Sequence, residues 1–316
     1  MEQRQSDGAR LSRRALLAAT PLMFSGAASA RAKLKVAIFS KHLQFLEGEG
    51  LARAAADIGF DGVDITVRKG GHVEPERVAQ DLPPLVELLR KHALDVPMIT
   101  TDIVDASTPH AEEVLKAMAA LDIRYYRWGG LVYRGVQPFA AQLEQMKPRI
   151  AKLAALNARY QACAMYHTHS GAGLVGAPIW DLHILLKDFD PKTVGVNYDV
   201  SHATVEGGLG GWIASFRITG PHLRGIAVKD FQWGKDDRGV WQVEWKPLGE
   251  GMVHLPQFFA MVGEAGFDGP LQLHFEYPLG GADGGKKTLT LGRGEVFAAM
   301  KRDLGKLRGY LAQANL

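Results

Sequence analysis

Five short segments of this chain end in histidine, lysine or carboxylate side chains, the groups that bind metal ions and transfer protons. In chain order they are Ser40-Lys41-His42, Tyr166-His167-Thr168-His169, Asn197-Tyr198-Asp199, Val228-Lys229-Asp230 and His274-Phe275-Glu276. Imidazoles and carboxylates together suit divalent cations such as Mn²⁺, Co²⁺, Zn²⁺ or Mg²⁺. Three such ligands with open coordination positions are typical of a catalytic metal site rather than a structural one. A fold that gathers the ends of these segments would therefore build a metal-dependent active site.

The segments lie at the ends of β-rich runs that alternate with amphipathic helical stretches. The predicted strands are Leu34–Ser40, Gly62–Val67, Val96–Thr101, Arg124–Trp128, Tyr160–Tyr166, Val194–Asp199, Leu223–Val228 and Leu271–Glu276. The predicted helices are Glu47–Ile58, Pro75–Lys91, His110–Leu121, Pro138–Leu156, Ile179–Asp188, Gly211–Ile218, Leu255–Ala265 and Arg293–Ala312. Alternating strands and helices predict an α/β fold with a parallel sheet, and eight units predict a closed (β/α)₈ TIM barrel. An open doubly wound sheet is disfavoured, because no glycine-rich phosphate loop follows the first strand.

Strand periodicity indicates which of these groups face the barrel axis. Residues two apart share a face, which pairs His167 with His169, Asn197 with Asp199, Ala227 with Lys229, and His274 with Glu276. Active sites of such barrels lie at the carboxyl ends of the strands. We therefore predict a metal site formed by His167, Asp199 and Glu276. Glu276 is also the predicted base, with Lys229 or His169 as the acid.

Further polar residues near the strand ends are predicted to bind substrate. They are His42, Arg68, Arg127 and Glu250.

The first thirty residues are predicted to be an export signal rather than part of the fold. Arg13-Arg14 precedes the apolar stretch Ala15–Phe24, and Ala28-Ser29-Ala30 follows as a cleavage site. This three-part pattern is typical of a secretory signal, and the paired arginines resemble a twin-arginine signal. We therefore expect Met1–Ala30 to be removed, residues 31–316 to form a single catalytic domain, and the protein to be periplasmic or secreted.

Composition narrows the range of partners. The chain carries 37 Lys+Arg and 34 Asp+Glu, a net charge of +3, and loss of four cations and two anions with the signal leaves 3 − 2 = +1. A nearly neutral chain lacks the basic surface of a nucleic-acid-binding protein. The sequence also contains no apolar run long enough for a membrane span. These features favour a small neutral or weakly charged substrate, and they leave a homodimer open.

At five places the sequence resembles the sugar phosphate isomerase/epimerase family, which includes tagatose epimerases, hydroxypyruvate isomerase and inosose dehydratase. The segments are Gly59–Asp64, Asp199–His202, Val228–Asp230, Pro247–Gly251 and Gly269–Glu276. The likeness extends over essentially the whole chain after the signal and implies a xylose-isomerase-like barrel. In that family Glu, Asp, His and Glu from strands five to eight hold a metal. Here Asp199 and Glu276 match, whereas His167 replaces the first Glu and Ala227 replaces the His.

The resemblance also implies a chemistry and a role for His202, which matches the family's substrate-contacting histidine. A metal polarises a ketose carbonyl and a positioned base removes the adjacent proton. With His167 in place of a carboxylate, a symmetric two-carboxylate epimerase is disfavoured.

The predicted function is a metal-dependent isomerase or epimerase acting on a non-phosphorylated sugar or keto-sugar. One alternative is a lyase or dehydratase that eliminates from an oxidised 3-keto sugar or glycoside. A second is a non-catalytic sugar-binding barrel, which the absent histidine at Ala227 favours. A DNA-repair endonuclease of this barrel type is disfavoured, because the sequence offers too few ligands for a multi-zinc cluster.

Overall fold

Eight parallel strands close into a barrel in the computed structural model, which describes residues 33–316. The described residues contain ten strands, eight in the barrel and two in a hairpin. They are β1 Val36–Phe39, β2 Gly62–Val67, β3 Met98–Thr101, β4 Tyr125–Trp128, β5 Cys163–His167, β6 Val194–Asp199, β7 Leu223–Val228, β8 Asp230–Lys235, β9 Trp241–Lys246 and β10 Leu271–Leu273. The barrel order is β1-β10-β7-β6-β5-β4-β3-β2, with β8 and β9 forming a separate hairpin. The predicted (β/α)₈ barrel is confirmed. The predicted signal, Met1–Ala30, lies outside the described residues.

Eight α-helices surround the barrel in this part of the chain. They are α1 Gly48–Ile58, α2 Val78–Lys91, α3 Ala111–Ala120, α4 Phe139–Arg159, α5 Trp180–Leu186, α6 Val200–Thr219, α7 Leu255–Glu264 and α8 Arg293–Gln313. Helix α6 begins eleven residues before the predicted start at Gly211, because Asp199 caps it, and it is interrupted by the non-helical Gly208. No helix within residues 33–316 is long and apolar enough to cross a membrane.

Alternation along each strand separates the outer core from the barrel interior. On β2, Val63, Ile65 and Val67 join the hydrophobic layer between strands and helices, so Asp64 and Thr66 face inward. Each buried aliphatic side chain in that layer contributes about 1.5–3 kcal/mol. Inside the barrel, a separate cluster of Met98, Cys163 and Met165, with Tyr125 packed against it, fills the interior below the strand ends.

Two glycines end helices where the chain turns into the next strand. Gly59 follows α1 with φ +106° and Gly266 follows α7 with φ +67°. A left-handed residue at this position favours glycine because it has no Cβ to clash. The repeated Gly-Phe-Asp-Gly segments at 59–62 and 266–269 therefore begin as helix-ending turns.

The antiparallel hairpin β8–β9 was not predicted from the sequence. It follows β7 directly, and its strands pair from Asp230 with Lys246 to Lys235 with Trp241. The Asp230 carboxylate accepts hydrogen bonds from backbone N–H groups of the returning chain at Gly249, Gly251 and Val253. The available signal was the alternation of Trp241, Val243 and Trp245 after a turn containing Gly239. The hairpin brings Trp245 to the barrel mouth.

Candidate active site at the barrel mouth

Three buried side chains converge at the carboxyl ends of neighbouring strands. His167 ends β5, Asp199 ends β6 and His274 directly follows β10, and one ligand atom of each lies within 4.8 Å of the others. His167 Nε2 is 3.6 Å from Asp199 Oδ2, and the His167 and His274 rings stack with centroids 5.5 Å apart. The predicted third ligand was Glu276, but the structure places His274 in this group. His274 shares the inward face with Glu276 and is two residues closer to the strand, so it lies deeper.

Two of the converging atoms have no hydrogen-bond partner among the described residues: Asp199 Oδ2 and His274 Nε2. The other Asp199 oxygen caps α6 by accepting 3.0 Å hydrogen bonds from the N–H groups of Ser201 and His202. Asp199 Oδ2 has the Lys229 ammonium at 3.2 Å as a counter-charge, but burying a carboxylate oxygen and an imidazole nitrogen without hydrogen-bond partners is still costly. Two imidazoles and one carboxylate with open positions are a known donor set for divalent transition metals. The residues present therefore fit a divalent cation.

The surroundings keep the imidazoles of His167 and His274 neutral. Burial, reinforced by the positive charge of Arg127, lowers the pKa of His167 well below its usual value. Burial and Lys229 do the same for His274. The amide of Asn197 lies 3.0 Å from His167 Nδ1. The amide nitrogen Nδ2 faces the ring and donates to Nδ1, which fixes the orientation of the imidazole.

Lys229 places its ammonium beside this group, on the inward face of β7. Its Nζ is 3.2 Å from Asp199 Oδ2, in ion-pair but not hydrogen-bond geometry. It also lies 2.8 Å from His202 Nε2 and 4.3 Å from the centroid of the Trp245 ring. Burial and the charge of Lys229 lower the pKa of His202 to about 2. The neutral His202 ring therefore accepts from Lys229, and its Nδ1 lies 2.8 Å from Ser170 Oγ.

Glu276 lies nearer the opening and pairs with two lysines. Its Oε1 is 3.3 Å from Lys41 Nζ and 3.8 Å from Lys229 Nζ. Burial by itself would raise the pKa of Glu276, but Lys229 and Lys41 outweigh that effect and lower it to about 2. The side chain keeps 26% of its surface exposed. An ionised carboxylate thus stands at the entrance.

A second group of cations surrounds Phe39, the last residue of β1. The Phe39 ring stacks on His274 with centroids 4.8 Å apart. Arg68 and Arg127 place their guanidinium carbons 5.6 Å and 5.9 Å from the Phe39 centroid. Nearby, Asp64 accepts both of its hydrogen bonds from Thr100, and burial raises its pKa to about 7. The arginines therefore lie next to the converging ligands, on the side of β1, β2 and β4.

Three predicted site residues have other partners in the structure. Both nitrogens of His42 bond to the backbone, Nδ1 to Ala282 O and Nε2 to Phe275 N–H, each at 3.1 Å, so this buried ring braces the loop after β10. Glu250 is exposed and pairs with Lys306 of α8 at 3.0 Å. His169 donates from Nδ1 to His167 O at 3.2 Å and accepts from Arg127 at 3.3 Å, so it holds Arg127 in place.

The sequence reasoning passed over two site residues, His274 and Trp245. The face that His274 shares with Glu276 pointed to it as a candidate ligand. Periodicity alone does not say which of the two residues lies deep enough in the barrel to meet His167 and Asp199. Trp245 lies on the hairpin β8–β9, which the sequence patterns did not predict. The structure shows its ring edge-on to His202, with centroids 5.2 Å apart.

The barrel fold agrees with comparisons against known proteins. A family model described as a xylose isomerase-like TIM barrel matches residues 52–291. The chain therefore belongs to the xylose isomerase-like TIM barrel family. A comparison with curated protein sequences finds no significant match.

Solved structures share this fold at low sequence identity. A D-psicose 3-epimerase in the presence of D-fructose is 13% identical, with a TM-score of 0.65, covering 88% of this chain and 99% of the other. The 3-keto-D-glucoside 4-epimerase from E. coli is 12% identical, with a TM-score of 0.61, covering 88% and 100%. The IOLI protein with a binding zinc atom is 13% identical, with a TM-score of 0.67, covering 88% and 99%.

Proposed function

We propose that this protein is a divalent-metal-dependent isomerase or epimerase that moves a proton next to the carbonyl group of a sugar or keto-sugar. The observation that carries the proposal is the convergence of His167, Asp199 and His274, two of whose buried atoms have no hydrogen-bond partner among the described residues. The sugar epimerases that share the fold support the choice of a sugar substrate.

His167, Asp199 and His274 would hold the cation. When bound, a divalent cation polarises a substrate carbonyl and acidifies the neighbouring C–H bond. These residues give three protein ligands, and three ligands with open positions suit a catalytic site. Two imidazoles also favour a borderline metal such as Zn²⁺ or Co²⁺ over Mg²⁺.

Lys229 and Glu276 are the residues proposed to act on the substrate. The Lys229 ammonium, next to Asp199, is placed to stabilise negative charge on the substrate oxygen as the C–H proton leaves. A preorganised group of this kind contributes about 10²–10³ in rate. Glu276 is the partly exposed carboxylate that is not committed to the ligand group, so we assign it as the proton acceptor. His202 positions Lys229 through their 2.8 Å contact.

A single carboxylate base also suits elimination from a 3-keto glycoside, which is the second candidate function. The site favours elimination because it has a carboxylate, Glu276, on one side only. His167 stands where the family has its other carboxylate. In elimination, Glu276 would take the proton next to the carbonyl and the leaving alkoxide would depart from the neighbouring carbon.

The test is proton exchange in D₂O. The protein is loaded in turn with Zn²⁺, Co²⁺, Mn²⁺ or Mg²⁺ and incubated with D-fructose, D-psicose or a 3-keto-glucoside. NMR then follows deuterium incorporation next to the carbonyl. We expect metal-dependent incorporation that EDTA removes and that is absent from the Glu276→Gln variant.

The products separate the candidates. A new ketose or aldose supports the isomerase or epimerase, and release of the aglycone supports the lyase. Binding of the sugars without exchange under any metal would instead support a non-catalytic sugar-binding barrel and refute the proposed reaction.

We also propose that Met1–Ala30 exports the protein through a twin-arginine route. The support is the arginine pair, the apolar stretch and the Ala28-Ser29-Ala30 cleavage pattern.

A further inference from the structure

Two arginines at the barrel mouth have no carboxylate partner within the described chain. Arg127 Nη2 contacts the neutral ring of His169, and the Arg68 guanidinium lies over the Phe39 ring. The two other cations at the mouth are paired, Lys41 with Glu276 and Lys229 with Asp199. Arg68 and Arg127 thus lie close to each other without a fully charged counter-ion.

The charges facing the mouth do not balance. Four cations, Lys41, Arg68, Arg127 and Lys229, face two paired carboxylates, Asp199 and Glu276, which leaves 4 − 2 = +2. A third acid, Asp64, is buried below the arginines and bonded to Thr100. Even full ionisation of Asp64 leaves the mouth at +1, and a bound divalent cation would add two further positive charges.

Bringing two guanidinium groups together without an ion-pair partner is unfavourable, because like charges repel each other. Burial lowers the pKa of Arg127 and the charge of Arg68 lowers it further, while the carboxylates of Asp64, Glu276 and Asp199 offset part of this effect. Guanidinium groups present paired N–H donors that match the two oxygens of a carboxylate. They are more weakly hydrated than ammonium groups, so they suit a partly buried ion pair.

We infer that Arg68 and Arg127 form a binding site for the carboxylate of an acidic sugar that also carries a carbonyl, such as a uronate or a keto-aldonate. The inference rests on the proposed function and narrows its substrate class. Phe39 lies between the candidate metal ligands and the two arginines. Its ring stacks on the candidate ligand His274, and both guanidinium groups lie within 6 Å of the centre of that ring. A substrate whose carbonyl lies at the converging ligands would therefore reach the arginines with an acidic group only a few bonds away.

The experiment measures binding by isothermal titration calorimetry on the Zn²⁺-loaded full chain. D-glucuronate is compared with D-glucose, which differs by having CH₂OH in place of the carboxylate, and with D-glucose 6-phosphate. Because hydrogen bonds between charged groups are stronger than neutral ones, we expect D-glucuronate to bind at least about tenfold more tightly than D-glucose. Raising the salt concentration should reduce this preference.

Variants locate the preference on the two arginines. Arg68→Gln and Arg127→Gln should each reduce the glucuronate preference, and the double variant should abolish it. The matched control is Arg159→Gln, which removes an exposed arginine at the end of α4, before β5 begins, where it pairs with Glu112. Arg68→Lys and Arg127→Lys keep the charge but lose the paired donors, so they should retain part of the preference even if the glutamine variants fail to fold.

Three results would overturn the inference. They are equal affinity for D-glucuronate and D-glucose, no measurable binding of D-glucuronate, and a preference that persists in the double glutamine variant. Tighter binding of D-glucose 6-phosphate than of D-glucuronate would reassign the site to a phosphate. The titration uses no turnover, so absence of deuterium exchange, which would refute the proposed reaction, does not affect its outcome.

Discussion

Replacing Asp199 by asparagine separates the metal-binding role of this residue from its structural one. Asparagine keeps an oxygen that can cap α6 by accepting from the Ser201 and His202 N–H groups, as Asp199 Oδ1 does. What Asp199→Asn removes is the only negative charge among the three converging groups. We expect the variant to fold and to lose its metal.

The expected effect of Asp199→Asn has two parts, a loss of metal affinity and a loss of unfolding free energy. Loss of a supporting group costs about 10–100-fold in metal affinity, and loss of the anionic ligand itself should cost more. A metal at a hundred times its Kd stabilises the folded state by about 2.7 kcal/mol, and the variant should lose this gain. Without metal, Lys229 loses the oxygen 3.2 Å from its ammonium. Removing one partner of a buried pair costs about 3–5 kcal/mol, and Glu276 as a remaining counter-charge should keep the loss near the lower limit.

The assay combines equilibrium dialysis against Zn²⁺, with metal content measured by mass spectrometry, and urea unfolding with and without EDTA. The matched control is Asp303→Asn. Asp303 also has a buried oxygen without a hydrogen-bond partner, while its other oxygen accepts from Tyr277 and Leu248 under α8. The control should lose stability and keep its metal. A full metal complement in Asp199→Asn, with unchanged EDTA sensitivity, would refute the proposed site.

Lys229→Met and His202→Ala should each lower kcat/KM at least about tenfold with metal content unchanged; parallel loss of metal would move them into the ligand group. Asp64→Asn should stabilise the protein increasingly as pH rises from 5 to 7. The raised pKa of Asp64, about 7, makes the folded state bind a proton that the unfolded state has lost, so the wild type loses up to about 1.4 kcal/mol per pH unit relative to the variant. A pH-independent difference in unfolding free energy would contradict this. Deleting Met1–Ala30 should abolish export in cell fractionation while folding and activity persist, and aggregation of the truncated chain would count against the assignment.

Much of the fold follows from local patterns in the sequence. Each predicted barrel strand overlaps an observed one, because runs such as Val194–Asp199 carry outward aliphatic residues at every second position. The hairpin β8–β9 was missed because only two of its twelve residues, Asp230 and Phe231, are buried, so no continuous buried face marked it. The early start of α6 was missed because it depends on a cap: Asp199 ends a strand and begins a helix at once.

The sequence by itself determined which residue types reach the barrel mouth and which of them share a face. Strand periodicity has a period of two, so it joined His274 with Glu276 and Ala227 with Lys229. It could not determine depth, which depends on where each strand ends and on how neighbouring strands are staggered. Only the tertiary structure placed His274 with His167 and Asp199 and left Glu276 with the lysines.

Local charge was likewise decided by tertiary structure. The chain after its predicted signal is nearly neutral, which favoured a neutral or weakly charged substrate, yet packing of β1, β2 and β4 places Arg68 and Arg127 together beside Phe39 without a carboxylate partner among the described residues. Electrostatic energy depends on the distances between charges and on their burial, and these distances join residues far apart in the sequence. Net charge sums over the chain and contains no information about them.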